Sequence, residues 1–168
     1  MHVCATLAVS ERIRITRHGP LVSDALEKPH SALALRWTGL DEADSTASAF
    51  VKVNLASSWP DFVKALASLH VPTLNLVYAD VDGNIGYVGA GALPVRLNHD
   101  GSRPLPGWAG DFDWRGYLHE SEWPSAYTPS RGYLASANNK VAPDSFPILL
   151  GTSWDAPYRA ARIVAFLE

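Results

Sequence analysis

The stretch "TLNLVYADVDGNIGYVGAGALPVR", residues 73–96, decides the fold class of this sequence. Its two apolar runs are separated by Asp82-Gly83, a pair that accepts the positive φ values of a tight hairpin. The pattern predicts a strand, a turn and a second, antiparallel strand. The segment also contains "DVDGN", but a calcium-binding EF-hand loop would need glycine and glutamate where Ile85 and Gly91 stand. The hairpin interpretation is therefore favoured.

Strands and loops are also predicted on either side of this hairpin. Polar and apolar residues alternate in "ERIRIT" (11–16), which predicts a strand that "HGP" (18–20) ends. "SALALRWTGL" (31–40) is a second candidate strand. Residues 98–131 are rich in Gly, Pro and Trp without periodicity, so we expect a long ordered loop there. The chain then returns as a strand in "RGYLASA" (131–137).

Two helices are predicted from periodicity and capping residues. Ser58 precedes "WPDFVKALASLH" (59–70), in which three apolar residues fall on one helix face: Phe62, Leu66 and Leu69. "PYRAARIVAFLE" (157–168) carries Pro157 in its first turn, where proline is tolerated. The chain is thus predicted to be mostly strand and loop, with helix near the middle and at the end.

Composition limits the kinds of function. The chain has 168 residues, 47% apolar and 18% charged, which fits one globular domain. Its 14 basic and 17 acidic side chains give a net charge of −3, and neither sign forms a run, so nothing indicates nucleic acid or an anionic membrane as a partner. The single Cys4 excludes an internal disulfide. No apolar run approaches the roughly 18 residues of a spanning helix.

Common catalytic and cofactor motifs are missing from the sequence. "HESEW" (119–123) begins like a zinc-binding helix, but the second histidine is absent. There is no G-x-S-x-G elbow and no glycine-rich loop placed to bind phosphate, so no cofactor is predicted. The 6 tryptophans are scattered, which favours packing over a sugar site.

Several segments occur together in an order that no single motif explains. They are "TRHGPLVSD" (16–24), "ALRWTGLD" (34–41), "NLASSWPDF" (54–62), "NLVYADVDGNIGYVGAGALPVR" (75–96), "LPGW" (105–108), "GYLASANN" (132–139) and "PYRAARI" (157–163). From about Arg17 to Ile163, this ordered set resembles the β-chain of the penicillin acylase family, which are N-terminal-nucleophile hydrolases.

The resemblance implies a fold and a reaction. The fold would be of the α+β class, as part of a four-layer α/β/β/α sandwich with antiparallel sheets. Residues 1–168 would be a single partial domain inside the β-chain. Members of the family cut their own precursor and use the exposed N-terminal serine to hydrolyse N-acyl amides through an acyl-enzyme. The implied partners are a small acyl amide, the family's α-chain and the rest of the β-chain. The implied location is the periplasm or the medium of a bacterium.

The resemblance also assigns roles to two residues. The first asparagine of the family's pair, here Asn138, would donate a side-chain N–H to the oxyanion of the reaction. The other interpretation is that Asn138 and Asn139 only cap a strand. Arg159 matches a family arginine that supports the active-site asparagine, although Arg162 lies one helical turn away and a solvated helix face is the alternative. We expect His18 to be structural.

This sequence also departs from the family pattern. The serine, most calcium ligands and the backbone part of the oxyanion hole belong to a stretch that does not appear here. We therefore expect an incomplete reading frame whose 168 residues alone are inactive. Calcium is possible in the complete family protein, but Ile148 replaces a family calcium-site aspartate. The alternative function is a non-catalytic binding or structural module that kept the sheet and lost the chemistry.

Overall fold

The computed structural model describes residues 12–26, 31–42 and 44–168. These residues belong to two compact units, Met1–Leu40 and Asp41–Glu168. Both contain antiparallel strands. The first residue of the predicted strand 11–16 lies outside the described residues.

The first unit contains a short hairpin. Strand β1 (Ile15–Thr16) pairs antiparallel with β2 (Gly19–Pro20). Gly19 has φ 118°, and a Cβ at this position would lie 2.2 Å from the Leu35 carbonyl oxygen, so only glycine fits here. Of the predicted strand 11–16, the described part is a strand only at Ile15–Thr16, and it ends before "HGP" as predicted. The Gly-Pro part of "HGP" forms the returning strand, which was not predicted.

Residues 31–40 do not form the predicted strand. Only an isolated bridge joins Leu21 and Ala34, and the chain then turns into a 3-10 helix at Thr38–Leu40. The Trp37 ring lies so close to Gly39 that a Cβ there would approach it to 2.6 Å. Alternating apolar residues make a strand only where a neighbour supplies a hydrogen-bonded ladder, and here the ladder ends after one bridge.

A three-stranded antiparallel sheet lies at the centre of the second unit. Strands β3 (Leu74–Ala79), β4 (Ile85–Ala90) and β5 (Ser125–Tyr127) are arranged in the order β3-β4-β5. The β3–β4 register runs from Leu74↔Ala90 to Ala79↔Ile85, so the predicted hairpin is confirmed.

The hairpin turn is organised by an aspartate. Asp80 Oδ1 accepts hydrogen bonds from the backbone N–H groups of Asp82 (3.1 Å) and Asn84 (2.9 Å). The side-chain amide of Asn84 also donates to the carboxylate, and this bond holds the pKa of Asp80 below its usual value. Of the predicted pair, Gly83 adopts a positive φ of 84° and Asp82 does not.

Two helices precede the sheet along the chain. Helix α1 (Thr46–Val53) was not predicted, whereas α2 (Trp59–Leu66) confirms the first part of the predicted 59–70 helix. The Ser58 hydroxyl accepts a bond from the Asp61 N–H at 3.3 Å and so caps α2. The predicted apolar face is buried, with these exposed fractions: Phe62 7%, Leu66 1% and Leu69 3%.

Helix α2 packs against the central strand β4. Leu66 belongs to the same core cluster as Val88, whose side chain is completely buried. The Trp59 ring lies over Gly86, where a Cβ would come within 2.3 Å of it, and stacks on Tyr127 of β5 at 5.3 Å. The missing side chain of Gly86 therefore lets an aromatic ring cover the sheet.

The predicted loop 98–131 has more regular structure than its composition indicates. It contains 3-10 helices at Gly110–Phe112 and Glu120–Glu122 and ends in β5. "HESEW" lies here, and His119 caps the second of these helices. The buried Trp123 holds the segment to the core, so aromatic packing pins this part of the chain, as expected.

The last part of the chain is an irregular segment followed by a helix. The predicted strand 131–137 was wrong, since this segment pairs with no strand among the described residues. Instead, Leu134 and Ala135 face Tyr87 and Ala126 across a cavity of about 140 Å³. Helix α3 (Tyr158–Leu167) confirms the last predicted helix. Within the described ranges, no helix has the length and apolar character that crossing a bilayer requires.

The packing of α2 predicts which leucines matter for stability. Leu66→Ala should lower the free energy of unfolding by about 2–5 kcal/mol, because it leaves a cavity beside β4. Leu55→Ala is the matched control, since Leu55 is 80% exposed and should change the value by less than about 0.5 kcal/mol. Urea denaturation of the two variants measures both numbers, and equal losses would contradict this packing.

Candidate active site

The asparagine pair lies in a tight bend after residues 133–136. Asn138 has φ 61°, a left-handed conformation that asparagine tolerates better than most residues. Asn139 stabilises the bend locally, because its Oδ1 accepts the Ala137 N–H at 3.0 Å and its Nδ2 donates to the Lys140 carbonyl at 3.0 Å. The side chain of Asn139 is therefore occupied by its own backbone neighbours.

Asn138 is engaged by a residue far away in sequence. Nη2 of Arg159, in the first turn of α3, donates to Asn138 Oδ1 at 2.7 Å and to the Ala137 carbonyl at 3.2 Å. Hydrogen bonds from a charged donor are roughly twice as strong as neutral ones. The structure thus brings together the two residues to which the sequence assigned functional roles.

The bond to Arg159 orients the carboxamide of Asn138. The guanidinium can only donate, so the Asn138 oxygen must face Arg159 and the Nδ2 amide hydrogens must face the other way. Among the described residues, Asn138 Nδ2 donates no hydrogen bond, and the residue is exposed. The arrangement presents a neutral, fixed N–H donor, which is what a developing oxyanion requires.

Arg162 takes a different position from Arg159. Its guanidinium lies over the Phe166 ring, 4.0 Å from the centroid. It makes this contact within its own helix, as expected for residues four apart. Of the two arginines considered from the sequence, Arg159 is the one that contacts the asparagine.

One residue of the candidate active site, Asp155, was not predicted from the sequence. Asp155 Oδ2 accepts a bond from Arg159 Nη2 at 2.6 Å, and its backbone N–H donates to the Asn138 carbonyl at 2.9 Å. The spacing of four between Asp155 and Arg159 is the signal that could have found this pair. Both side chains are more than half exposed, at 58% and 59%, so the ion pair contributes little to stability.

Ile148 supplies no ligand for a calcium ion. Ile148 packs against the hydrophobic core and lines a cavity of about 220 Å³ together with Phe146, Leu150 and Trp154. Calcium takes oxygen ligands, and an isoleucine side chain supplies none. Within the described ranges, no three His, Cys, Asp or Glu side chains are grouped closely enough to hold a metal.

Comparison with a solved structure identifies the fold. The chain is similar to a thermostable penicillin G acylase from Alcaligenes faecalis, with a TM-score of 0.78 and 27% sequence identity. The match covers 99% of this chain and 30% of that one. This likeness and the helices with antiparallel sheets confirm the predicted class, which is α+β and part of an N-terminal-nucleophile hydrolase fold.

Comparisons of sequence identify the family. The chain is 35% identical over 150 residues to penicillin acylase 2 proenzyme from a Pseudomonas species, covering 89% of this chain. It is also 35% identical over 158 residues to acyl-homoserine lactone acylase QuiP from Pseudomonas fluorescens, covering 92% of this chain. In both cases it spans only 19% of the relative's length. The penicillin amidase family model matches residues 5–168, and the chain belongs to this family.

The geometry predicts how the Asn138 side chain depends on Arg159. In Arg159→Ala, the Asn138 carboxamide should become mobile, because nothing fixes its oxygen. Side-chain ¹H–¹⁵N spectra of the chain would show this as a loss of the heteronuclear NOE of the Asn138 NH₂ group, which is assigned by its disappearance in Asn138→Asp. Arg162→Ala is the matched control and should leave the signal unchanged. A rigid carboxamide in Arg159→Ala would contradict the site geometry.

Proposed function

We propose that this chain carries the oxyanion-binding side chain of an acylase that hydrolyses N-acyl amides. The nucleophile is an N-terminal serine outside these 168 residues. The substrates are of the penicillin, cephalosporin or acyl-homoserine lactone type, and the first and last of these agree with the names of the two relatives above. The observation that carries the proposal is the Asn138 carboxamide, whose oxygen is held by Arg159 and whose N–H groups face outward.

In this mechanism Asn138 acts as the carbonyl carbon becomes tetrahedral. The serine Oγ attacks the amide carbon, and the serine's own α-amino group takes the hydroxyl proton. The carbonyl oxygen then gains negative charge, and Asn138 Nδ2–H donates to it. Collapse of the intermediate returns the proton to the leaving amine and gives the acyl-enzyme, which water hydrolyses by the same steps. One such donor typically contributes roughly 2.7–4 kcal/mol to the transition state.

The position of Arg159 behind the asparagine suits this role. A hydrogen bond from a cation to the carboxamide oxygen polarises the amide and strengthens its N–H as a donor. A guanidinium in direct contact with the substrate would instead attract the carboxylate product, because Arg binds carboxylates in a bidentate manner. A neutral amide polarised by a charge behind it therefore favours the oxyanion without trapping the acid.

The proposed enzyme needs more protein than this chain. Since the chain spans 19% of each relative, the nucleophile and most of the acyl-binding site are assigned to the remaining β-chain and to an α-chain. In keeping with the resemblance, we place the complete enzyme in the periplasm or medium of a bacterium.

Alanine substitutions of the two asparagines, Asn138 and Asn139, test the proposed function. A hybrid is made in which this chain replaces the matching segment of the Alcaligenes penicillin G acylase. In the hybrid, Asn138→Ala should lower kcat for penicillin G by roughly 10²–10³ with KM nearly unchanged, because the lost bond forms only in the transition state. Asn139→Ala is the matched control and should be milder in kcat, since within the described part of the chain that side chain bonds only to Ala137 and Lys140.

Kinetics are compared after mass spectrometry has shown that each precursor matured. If kcat falls in Asn139→Ala and not in Asn138→Ala, then Asn139 is the oxyanion donor and Asn138 is the local cap. Full activity in both variants would reject the proposed function and leave the pair as a local cap.

The 168-residue chain alone should not turn over acyl amides. A fixed oxyanion donor cannot compensate for a missing nucleophile and base. Purified chain and buffer should give equal rates of acyl-amide hydrolysis. Turnover above background that disappears when one of the chain's own serines is changed to alanine would contradict the assignment of the nucleophile to another segment.

A further inference from the structure

We propose that Asp155 is a positioning residue for the oxyanion donor and acts on Asn138 through Arg159. The proposal rests on the function proposed above and adds a residue to that site. Its basis is geometric, because Asp155 contacts both the arginine and the asparagine: its carboxylate accepts from Arg159 Nη2 at 2.6 Å, and its N–H donates to the Asn138 carbonyl at 2.9 Å.

The side-chain contact restricts Arg159. A single nitrogen, Nη2, contacts three acceptors: Asp155 Oδ2 at 2.6 Å, Asn138 Oδ1 at 2.7 Å and the Ala137 carbonyl at 3.2 Å. This nitrogen carries two hydrogens, so the two short bonds use them and the third contact is shared. The bond to Asp155 therefore directs the other hydrogen of the same nitrogen toward Asn138.

Without this carboxylate the arginine keeps only its contacts with Asn138 and the Ala137 carbonyl among the described residues. The Arg159 side chain is 59% exposed and has many rotamers, so it can swing into water. Asn138 would then lose the bond that orients its carboxamide, and its amide and oxygen could exchange places. A donor that points correctly for only part of the time lowers kcat and leaves substrate binding unchanged.

The main-chain contact of Asp155 is kept when only its side chain is changed. The Asp155 N–H helps to hold the left-handed bend at Asn138, where φ is 61°. Asp155→Asn keeps this N–H and the size of the side chain, while it removes the negative charge that Arg159 binds and replaces one acceptor oxygen by an amide nitrogen. The bend should persist in the variant.

The chain offers a matched control in the preceding loop. Lys140 and Asp144 form a second ion pair of the same spacing, also on the surface. Their contact does not involve Asn138 or Arg159. Asp144→Asn thus removes an exposed i,i+4 carboxylate from the same part of the chain and should leave kcat as it was.

The experiment uses the hybrid acylase described above and penicillin G as the probe. Asp155→Asn should lower kcat by about tenfold and leave KM unchanged. This loss is smaller than the roughly 10²-fold loss of rate that displacing a reacting group by 1 Å can cause. Asp155→Glu keeps the charge and should retain most of the activity. Maturation and melting temperature of Asp155→Asn should match those of Asp144→Asn, because both variants lose one exposed ion pair.

A double variant separates positioning from a general structural role. In the Asn138→Ala background, Asp155→Asn should have no further effect on kcat, since the group that it positions is gone. An equal, additive loss in that background would overturn the proposal, because Asp155 would then act by another route.

Failure of this proposal can be distinguished from failure of the proposed function. Normal kcat in Asp155→Asn together with a deficient Asn138→Ala would reject only the role of Asp155, whereas a fully active Asn138→Ala would reject the proposed function itself. If Asp155→Asn does not mature, Asp155→Ser takes its place. Equal kcat values for Asp155→Ser and Asp155→Glu would then overturn the proposal.

Discussion

The packing of α2 against β4 is the contact on which the rest of the second unit depends. Leu66 and Val88 are almost completely removed from water, and Trp59 can reach the sheet only because Gly86 has no side chain. Since β4 is the middle strand, fixing it also fixes β3 and β5 through their hydrogen-bonded ladders. A small buried contact thus sets the position of the whole sheet, which agrees with the dense packing of protein cores.

The candidate site follows from that sheet through two later segments. Residues 131–141 run beside Tyr87 and Ala126 and end in the bend that carries Asn138. Helix α3 then returns Arg159 to the same bend, although the two residues are 21 positions apart. Neither segment holds a donor in a fixed direction by itself. The fixed donor exists only because the fold brings the bend and the helix terminus together.

The ion pair at this site illustrates the difference between stability and function. Two exposed, oppositely charged side chains attract each other weakly in water, and solvent screening removes most of that energy. The same pair fixes a guanidinium, and the guanidinium fixes an amide. Orientation of a donor affects a transition state much more than an exposed ion pair affects unfolding. Weak contacts on a protein surface can therefore be important in catalysis.

The sequence by itself determined the features that depend on neighbouring residues. Three features could be predicted because turn residues, periodicity and capping act locally. They are the β3–β4 hairpin, the apolar face of α2 with its Ser58 cap, and α3. The resemblance to a known family also named Asn138 and Arg159. Only the tertiary structure decided that residues 31–40 and 131–137 are not strands, because a strand needs a partner that its own sequence does not specify. The same holds for Asp155 and for the direction of the Asn138 amide, which depend on contacts between segments distant along the chain.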